Sequence, residues 1–188
     1  MNTYDFLERL CGLLRAEIRA AGADAGLQPI HVQTLRYLVS CNRYSDSPLA
    51  LAEFLGQTKG TVSQTVKVLE AKGLIRKTAD AVDRRMVHLG LTDRGMELVR
   101  DSKADQRLAE AMAQLPAGVR DDLNDGLERL LRSLQQVNRC KSFAPCRTCR
   151  FNQPQPDGFR CGLTGEALSD HDVQLICREH AYPDEERR

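Results

Sequence analysis

Two groups of residues have types and spacings that suit chemistry. The first is a cysteine pattern, Cys140-x5-Cys146-x2-Cys149-x11-Cys161-x15-Cys177-x2-His180. Thiolates and imidazoles ligate thiophilic metals, and an x2 pair lets two thiolates from one tight turn reach one centre. Cys146, Cys149, Cys161 and Cys177 form a thiolate set for an iron–sulfur cluster, with Cys140 as a replacement for Cys177. Cys146, Cys149, Cys177 and His180 form a Cys3His zinc set, with Cys161 as a replacement for the histidine. Cys161 stands alone and the spacings are uneven, unlike a ribbon with two x2 knuckles, so iron–sulfur is slightly favoured over zinc; metal-free thiols are the third reading. The second group is polar: Gln57, Thr58, Lys59, Thr61, Ser63, Gln64 and Lys67, followed downstream by Arg84 and Arg85. Such side chains hydrogen-bond to base edges and phosphates. On a lone helix the same residues would merely be solvated, so their setting decides.

That setting is a series of short elements. Leu7, Cys11, Leu14, Ile18 and Ala21 recur at 4-3-4-3 spacing and predict a first helix, ending at Gly22 to Gly26. Pro29 opens a second, with Val32, Leu35, Leu38 and Val39 on one face, and Asn42 to Pro48 reads as a loop. Pro48 suits the first turn of a third helix with Leu51, Ala52 and Leu55 inward, closed by Gly56. Thr58 is a candidate N-cap for a fourth, in which Val62, Val66 and Leu69 face the core and leave the polar residues outward. Two β-like runs, 74–78 and 86–91, flank a polar hairpin tip at 79–85. Helix, tight turn, helix and two-stranded hairpin is the layout of a winged helix-turn-helix, in which the N-terminal half of the second helix enters the major groove.

A long helical tract follows from Thr92, with Leu108, Met112 and Leu115 on one side. Beyond an interruption at Pro116 and Gly118 come Leu123, Leu127, Leu130, Leu134 and Val137, again at 4-3-4-3 spacing. The stripes at both ends of the chain cannot both face one small middle domain. Leu7, Leu14, Leu123, Leu127, Leu130 and Leu134 are therefore expected at a dimer seam. After Asn138 the texture changes to Cys, Pro and Gly. Within it, Ser169 to His180 predicts a helix capped by Ser169, with Cys177 and His180 on one face, and His171 reads as a surface residue. The large apolar residues of this tail are few, and a unit of its size with so thin a core usually needs a metal or disulfide staple.

The 188 residues carry a net charge of +1, with 41% hydrophobic, 28% charged and 5% aromatic residues and no Trp. This excludes a strongly basic coat and calls for an aliphatic core. Residues 42–95 nevertheless hold nine basic and six acidic side chains, a local excess on the predicted DNA-binding stretch. No apolar run is long enough to span a bilayer, and Asp5, Glu8 and Arg9 interrupt any signal-peptide pattern. A cytoplasmic, reducing location without a membrane partner is expected, where clustered cysteines favour metal or redox chemistry over structural disulfides.

Thr61-Val62-Ser63, Leu69-Glu70-Ala71-Lys72-Gly73-Leu74-Ile75-Arg76, Asp83-Arg84-Arg85 and Leu91-Thr92-Asp93-Arg94-Gly95 together resemble the MarR family of bacterial transcription regulators. The resemblance covers roughly residues 3–138. It implies a homodimer joined by its terminal helices, a recognition helix beginning near Thr58, and a wing whose arginine contacts the minor groove or backbone while Asp83 orients that arginine. It also implies a repressor that answers a small molecule or an oxidant. Some members sense organic hydroperoxides through a cysteine on the first helix near tyrosines of the next. Cys11 and Tyr37 fall in comparable places, although on its apolar stripe Cys11 reads first as a small core residue.

The expected fold is thus mainly α with a small β-hairpin wing. Residues 1–138 form the winged helix-turn-helix domain (helix-turn-helix and wing about 48–92, dimerisation helices about 3–22 and 93–138), and 139–188 form a metal-stabilised tail. The expected function is a sequence-specific DNA-binding regulator, by resemblance a repressor, of a pseudo-palindromic double-stranded operator, modulated by an effector or by the metal or redox state of the tail. The rival is a metal-stabilised protein-interaction module. No phosphate-binding loop, serine elbow or zinc-protease motif occurs, so no enzyme is expected; Cys146-Arg-Thr-Cys149 follows a long helix, which is not the βαβ setting of a thiol oxidoreductase.

Overall fold

The computed structural model of the chain describes residues 1–81, 83–100 and 103–183. Val82 of the hairpin tip, residues 101–102 of the helical tract and residues 184–188 of the tail lie outside the described residues. The chain runs α1 (Thr3–Ala23), α2 (Pro29–Ser40), α3 (Pro48–Leu55), α4 (Lys59–Ala71), β1 (Ile75–Ala79), β2 (Val87–Leu91), α5 (Asp93–Arg100), α6 (Lys103–Ala113) and α7 (Ala117–Val137). Past α7 come the short strands β3 (Ala144–Pro145), β4 (Asn152–Gln155), β5 (Gly158–Cys161), β6 (Ala167–Leu168) and β7 (Ile176–Cys177), with 3-10 turns at Cys146–Thr148 and Asp172–Gln174.

Local chemistry sets the helix ends. Asn2 and Asp5 form a reciprocal capping box at α1, through Asn2 N to Asp5 Oδ2 at 2.8 Å and Asp5 N to Asn2 Oδ1 at 3.0 Å. Ser47 Oγ accepts from Ala50 N at 3.2 Å and Pro48 takes the first turn of α3. Gly56 closes that helix at φ 61°, a left-handed conformation costly for any residue with a Cβ. Thr58 Oγ1 accepts from Thr61 N at 3.1 Å and starts α4.

One aliphatic core joins α2, α3, α4 and the wing: Leu35, Leu51, Val62, Val66, Leu69, Leu74 and Leu89 are each 2% exposed or less. The inner face of α2 differs from the expected one. Val32 and Leu35 are buried as read, but Tyr37, His31 and Thr34 join them, Leu38 is half-buried and Val39 is 37% exposed. The α2 surface is wrapped on two sides, by α1 and by α3 with the wing, so its buried arc is wider than a single stripe.

The wing is an antiparallel pair with Ile75 opposite Leu91 and Ala79 opposite Val87. Gly95, at the start of α5, lies so close to β1 that a Cβ there would stand 2.1 Å from Leu74 O. The Leu-Thr-x-x-Gly sequence thus has a steric reason. The terminal helices behave otherwise. In α7 no residue is buried, and Leu123, Leu127, Leu131 and Leu134 are 38–57% exposed; in α1, Leu10, Leu13 and Leu14 are 38–52% exposed. Leu7 and Leu130 are half-buried, and Cys11 is exposed rather than in the core of its own chain.

The tail folds into two small sheets, β3–β7 and β4–β5–β6. The helix expected over Ser169–His180 is absent. Ser169 and Asp172 do cap each other, through Ser169 N to Asp172 Oδ2 at 2.9 Å and Asp172 N to Ser169 Oγ at 3.1 Å. The turn they start lasts only to Gln174, because Cys177 pairs with Ala144 and Ile176 O accepts from Asn42 N, which holds the backbone extended. Among the described residues no helix is long and apolar enough to cross a membrane.

Candidate nucleic-acid interface and thiol cluster

The burial of Val62, Thr65, Val66 and Leu69 fixes α4 to the core and turns its other face out. Gln57, Thr58, Lys59, Thr61, Ser63, Gln64 and Lys67 are all exposed on that face. Within the set, Thr58 is already committed, since its hydroxyl caps α4 and lies 3.0 Å from Thr61 Oγ1. Lys59 and Ser63 line an open depression of about 330 Å³ together with Pro48, Leu49, Val66 and Lys77. Lys77, on the wing, was not expected there; it pairs with Glu70 at 2.6 Å.

At the wing tip, Asp80 Oδ1 accepts from Asp83 N at 2.7 Å and Asp83 Oδ1 accepts from Arg85 N at 3.0 Å. Asp83 therefore orders the backbone that carries Arg85, and the Arg84 and Arg85 side chains are exposed. His88 was missed by sequence reasoning. Its Nδ1 lies 2.6 Å from Asp46 Oδ1 and its Nε2 lies 3.0 Å from Asp80 Oδ2, so one ring ties the wing to the loop before α3. The hydrogen bond with Asp46, then that with Asp80, holds the His88 pKa above its ordinary value. No periodicity signals a side chain whose two partners lie 42 and 8 residues away.

In the tail, Cys146, Cys149 and Cys177 are buried, Cys161 is half-buried and Cys140 is exposed. Cys146 and Cys149 share one 3-10 turn, closed by Cys149 N donating to Cys146 O at 3.0 Å. Cys146 and Cys161 meet Leu168 and Val173 in one small apolar cluster. Burial, then the charges of Cys177, Cys149 and Cys161, pushes the Cys146 thiol up to about 12. Burial likewise raises Cys177, against the Asn42 hydrogen bond that lowers it. These four thiols are thus gathered within electrostatic reach of one another. Even so, among the described residues no three or more His, Cys, Asp or Glu side chains are arranged to hold a metal ion.

The alternative ligands fare differently. His180 Nδ1 lies 2.7 Å from Ser142 Oγ and Nε2 lies 2.9 Å from Thr148 Oγ1, so both ring nitrogens are engaged in a buried structural network. With Cys177 in a strand, His180 does not share a helical face with it. Cys140 is exposed at the end of α7, and His171 is exposed as read. Cys41 is buried, and desolvation, then the Asp46 charge, pushes its thiol up to about 12.

Residues 25–86 match the MarR family. A Bacillus subtilis protein named uncharacterized HTH-type transcriptional regulator YwaE is 33% identical over 84 residues, covering 45% of this chain and 48% of that protein. The Escherichia coli transcriptional repressor MprA is 28% identical over 116 residues, covering 61% and 66%. The chain thus spans about half of the first relative and about two thirds of the second. Among solved structures, the Staphylococcus aureus MepR–DNA complex superposes with a TM-score of 0.58 at 26% identity, covering 71% of this chain and 99% of that one.

Proposed function

We propose, from the match of residues 25–86 to the MarR family, that the chain is a sequence-specific DNA-binding transcription regulator, acting as a homodimeric repressor. One observation carries this reading: α4 is pinned by its apolar face while its polar face stands free beside the wing arginines. The α4 N-terminal half enters the major groove, where Gln57, Ser63 and Gln64 read base edges and Lys59 and Lys67 contact phosphate. Arg84 and Arg85 bind the flanking backbone or minor groove. The unburied leucines of α1 and α7 form the dimer seam, which sets two half-sites about one helical turn apart, roughly 34–36 Å. An open cleft of about 300 Å³ lined by Gln33, Arg36, Tyr37 and Phe54 is the place for a small-molecule effector.

The test is operator binding measured by mobility shift on the promoter of its own operon. Wild type binds in a salt-dependent way and Arg84→Glu with Arg85→Glu abolishes binding. Salt-dependent binding that survives both reversals would favour the rival protein-docking module. For the dimer, Leu127→Asp puts a charge in the seam and gives monomers that no longer bind the operator; a soluble dimer that still binds would refute the seam.

The four gathered thiols support a second element of the proposal: Cys146, Cys149, Cys161 and Cys177 ligate one metal centre, iron–sulfur ahead of zinc. Burial raises the Cys146 thiol, whereas a redox-active thiol needs a depressed pKa, which speaks against thiol-oxidoreductase chemistry at that residue. Visible absorption with iron, sulfide and zinc analysis of anaerobically purified protein decides between the metals.

A further inference from the structure

The open cleft of about 300 Å³ lies between α1, α2 and α3, and one of its walls comes from the tail: Ile18, Tyr37, Phe54 and Leu55 line it together with Ile176. The way the tail is fixed explains why Ile176 stands there. Strand β7 is extended, so consecutive side chains leave it on opposite faces. Cys177 is buried within electrostatic reach of Cys149 and Cys161, and Ile176 is thereby turned to the body. Asn42 N donates to Ile176 O at 2.9 Å, and Cys41 forms a parallel bridge with Ile176. Arg178 N donates to Ser45 Oγ at 2.8 Å, and the Arg178 guanidinium donates to both carboxylate oxygens of Glu53 at 2.7 and 2.8 Å. Main-chain groups, one serine hydroxyl and one ion pair make these bonds, so the wall stands whatever the state of the thiols.

A second tail residue touches the aromatic side of the same cleft. Phe143 has φ 42°, a left-handed backbone that aromatic residues rarely adopt. Its ring packs edge-on against Tyr37 and Phe54 at 6.4 and 5.4 Å between centroids, and those two rings lie 4.5 Å apart. Residues held in so sparsely populated a region persist where their surroundings over-determine them, and they gather at ligand sites. Phe54 remains 39% exposed, an aromatic face only partly covered. One cation faces the same space. Arg36 Nη1 is bonded to Asp105 at 2.5 Å, while its Nε and Nη2 have no hydrogen-bond partner among the described residues.

We infer that the tail is a specificity wall of the effector cleft: Ile176 sets how large a flat apolar acid the cleft admits, with Phe54 and Tyr37 against the body of the acid and the Nε–Nη2 edge of Arg36 on its carboxylate. This rests on the reading of the cleft as the effector site. The ligand class follows from the lining. Aliphatic and aromatic walls favour a planar apolar body, and a guanidinium edge with two N–H groups to spare takes a carboxylate in a bidentate way. Ser40 also lines the cleft, but its hydroxyl already donates to Arg36 O at 3.1 Å, which leaves Arg36 as the charged anchor. The wall stands next to the loop that carries the wing. Ser45 accepts from Arg178 N through its hydroxyl and from Tyr37 OH through its carbonyl, at 2.8 and 2.6 Å, and Asp46 O accepts from Leu89 N at 2.7 Å. A ligand seated between Tyr37 and Ile176 therefore touches both elements that hold this loop.

The full chain is titrated with 2-naphthoate and with benzoate by calorimetry, as wild type, Ile176→Phe and Arg36→Gln, while NMR of the Asn42 and Arg178 amides reports whether the tail stays docked. Wild type binds both acids. Ile176→Phe weakens 2-naphthoate by about tenfold or more and benzoate by less than about threefold, because the added ring narrows the cleft at that wall. A tail that merely came loose would weaken both acids alike, so an equal loss overturns the wall, as does no loss. If the amides show undocking in Ile176→Phe, Ile176→Ala gives the same order of losses, since the shorter acid reaches less of that wall. Arg36→Gln weakens both acids by about tenfold and leaves neutral 2-naphthamide unchanged; an equal loss for the amide overturns the carboxylate anchor. A wild-type chain that binds neither acid overturns the inference and the cleft reading together. Size discrimination that moves with Ile176, in a chain whose operator affinity ignores 2-naphthoate, supports the wall and refutes the effector role.

Discussion

The winged-helix body and the cysteine tail solve the problem of staying folded in different ways. The body buries a continuous aliphatic core in which Val32, Leu35, Leu51, Val62, Leu69, Ile75 and Leu89, among others, are 2% exposed or less. The tail buries Ala144, Leu168, Val173, Tyr182 and three thiols, and otherwise relies on short strands and on bonds to the body. Stability in the body comes mainly from apolar area removed from water, whereas the tail depends more on specific polar contacts. A region held by few contacts opens locally without dismantling the body.

The largest effect that would expose this difference is expected at Gly95. Gly95→Ala brings a Cβ to 2.1 Å from Leu74 O, a backbone atom that cannot turn aside. The chain should lose about 3 kcal/mol or more, beyond the usual cost of overpacking, and urea denaturation should show it in the helical signal. The corresponding crowding in the tail is milder, since a Cβ on Gly162 meets the flexible end of Gln153 at 2.7 Å. Gly162→Ala should therefore leave the body's transition unmoved; a matching loss there would mean that tail and body unfold as one unit.

Cavity formation gives the next contrast. Leu69→Ala in α4, where the side chain is 0% exposed, should cost about 2–5 kcal/mol of global stability. Val173→Ala in the tail should cost roughly 1–2 kcal/mol at about 0.8 kcal/mol per methylene equivalent, and the loss should appear as local opening of the tail. Calorimetry with hydrogen exchange separates the two. If Val173→Ala lowers the body's midpoint as much as Leu69→Ala does, the two regions share one cooperative core.

Legibility in the sequence followed the same division. Thr58 as the cap of α4, Gly56 as the closing residue of α3, the inward Val62, Val66 and Leu69, and the two wing strands were all readable, because each depends on residues within about one or two turns. The tail helix was misread from a genuine local signal. Ser169 and Asp172 cap as expected, but the chain beyond them answers to Ala144 and Asn42. The Arg178–Glu53 pair joins residues 125 apart, and His180 is held by Ser142, 38 residues away. Spacing along the chain carries no signal for such contacts, so the docking of the tail and the occupied state of His180 emerged only from the structure.

On the DNA side, Arg85→Ala should weaken binding to all sequences alike and reduce the salt slope by about 1, because it removes a cation that reads no base. Gln64→Ala should instead change base preference at one position of each half-site. Fluorescence anisotropy at several salt concentrations distinguishes them, and an unchanged slope in Arg85→Ala would remove the wing from the interface.

The smallest expected effect joins the body's own parts. His88 is held by Asp46 and Asp80, and those hydrogen bonds raise its pKa above the ordinary 6.5. A histidine whose folded pKa is raised contributes its full stabilisation below the unfolded value, and loses it as pH rises through the folded one. Asp46 opposes this only in part: burial raises its carboxyl while the His88 bond lowers it. The wing should therefore be tied most firmly to the α2–α3 loop below the ordinary histidine pKa of 6.5, and loosen as pH rises through the raised value. Comparing His88→Gln with wild type should show a stability difference that shrinks over that rise, while NMR places the His88 ring pKa above 6.5. A ring that titrates at or below that value, with a difference that is flat in pH, would reduce His88 to a neutral hydrogen-bonding spacer.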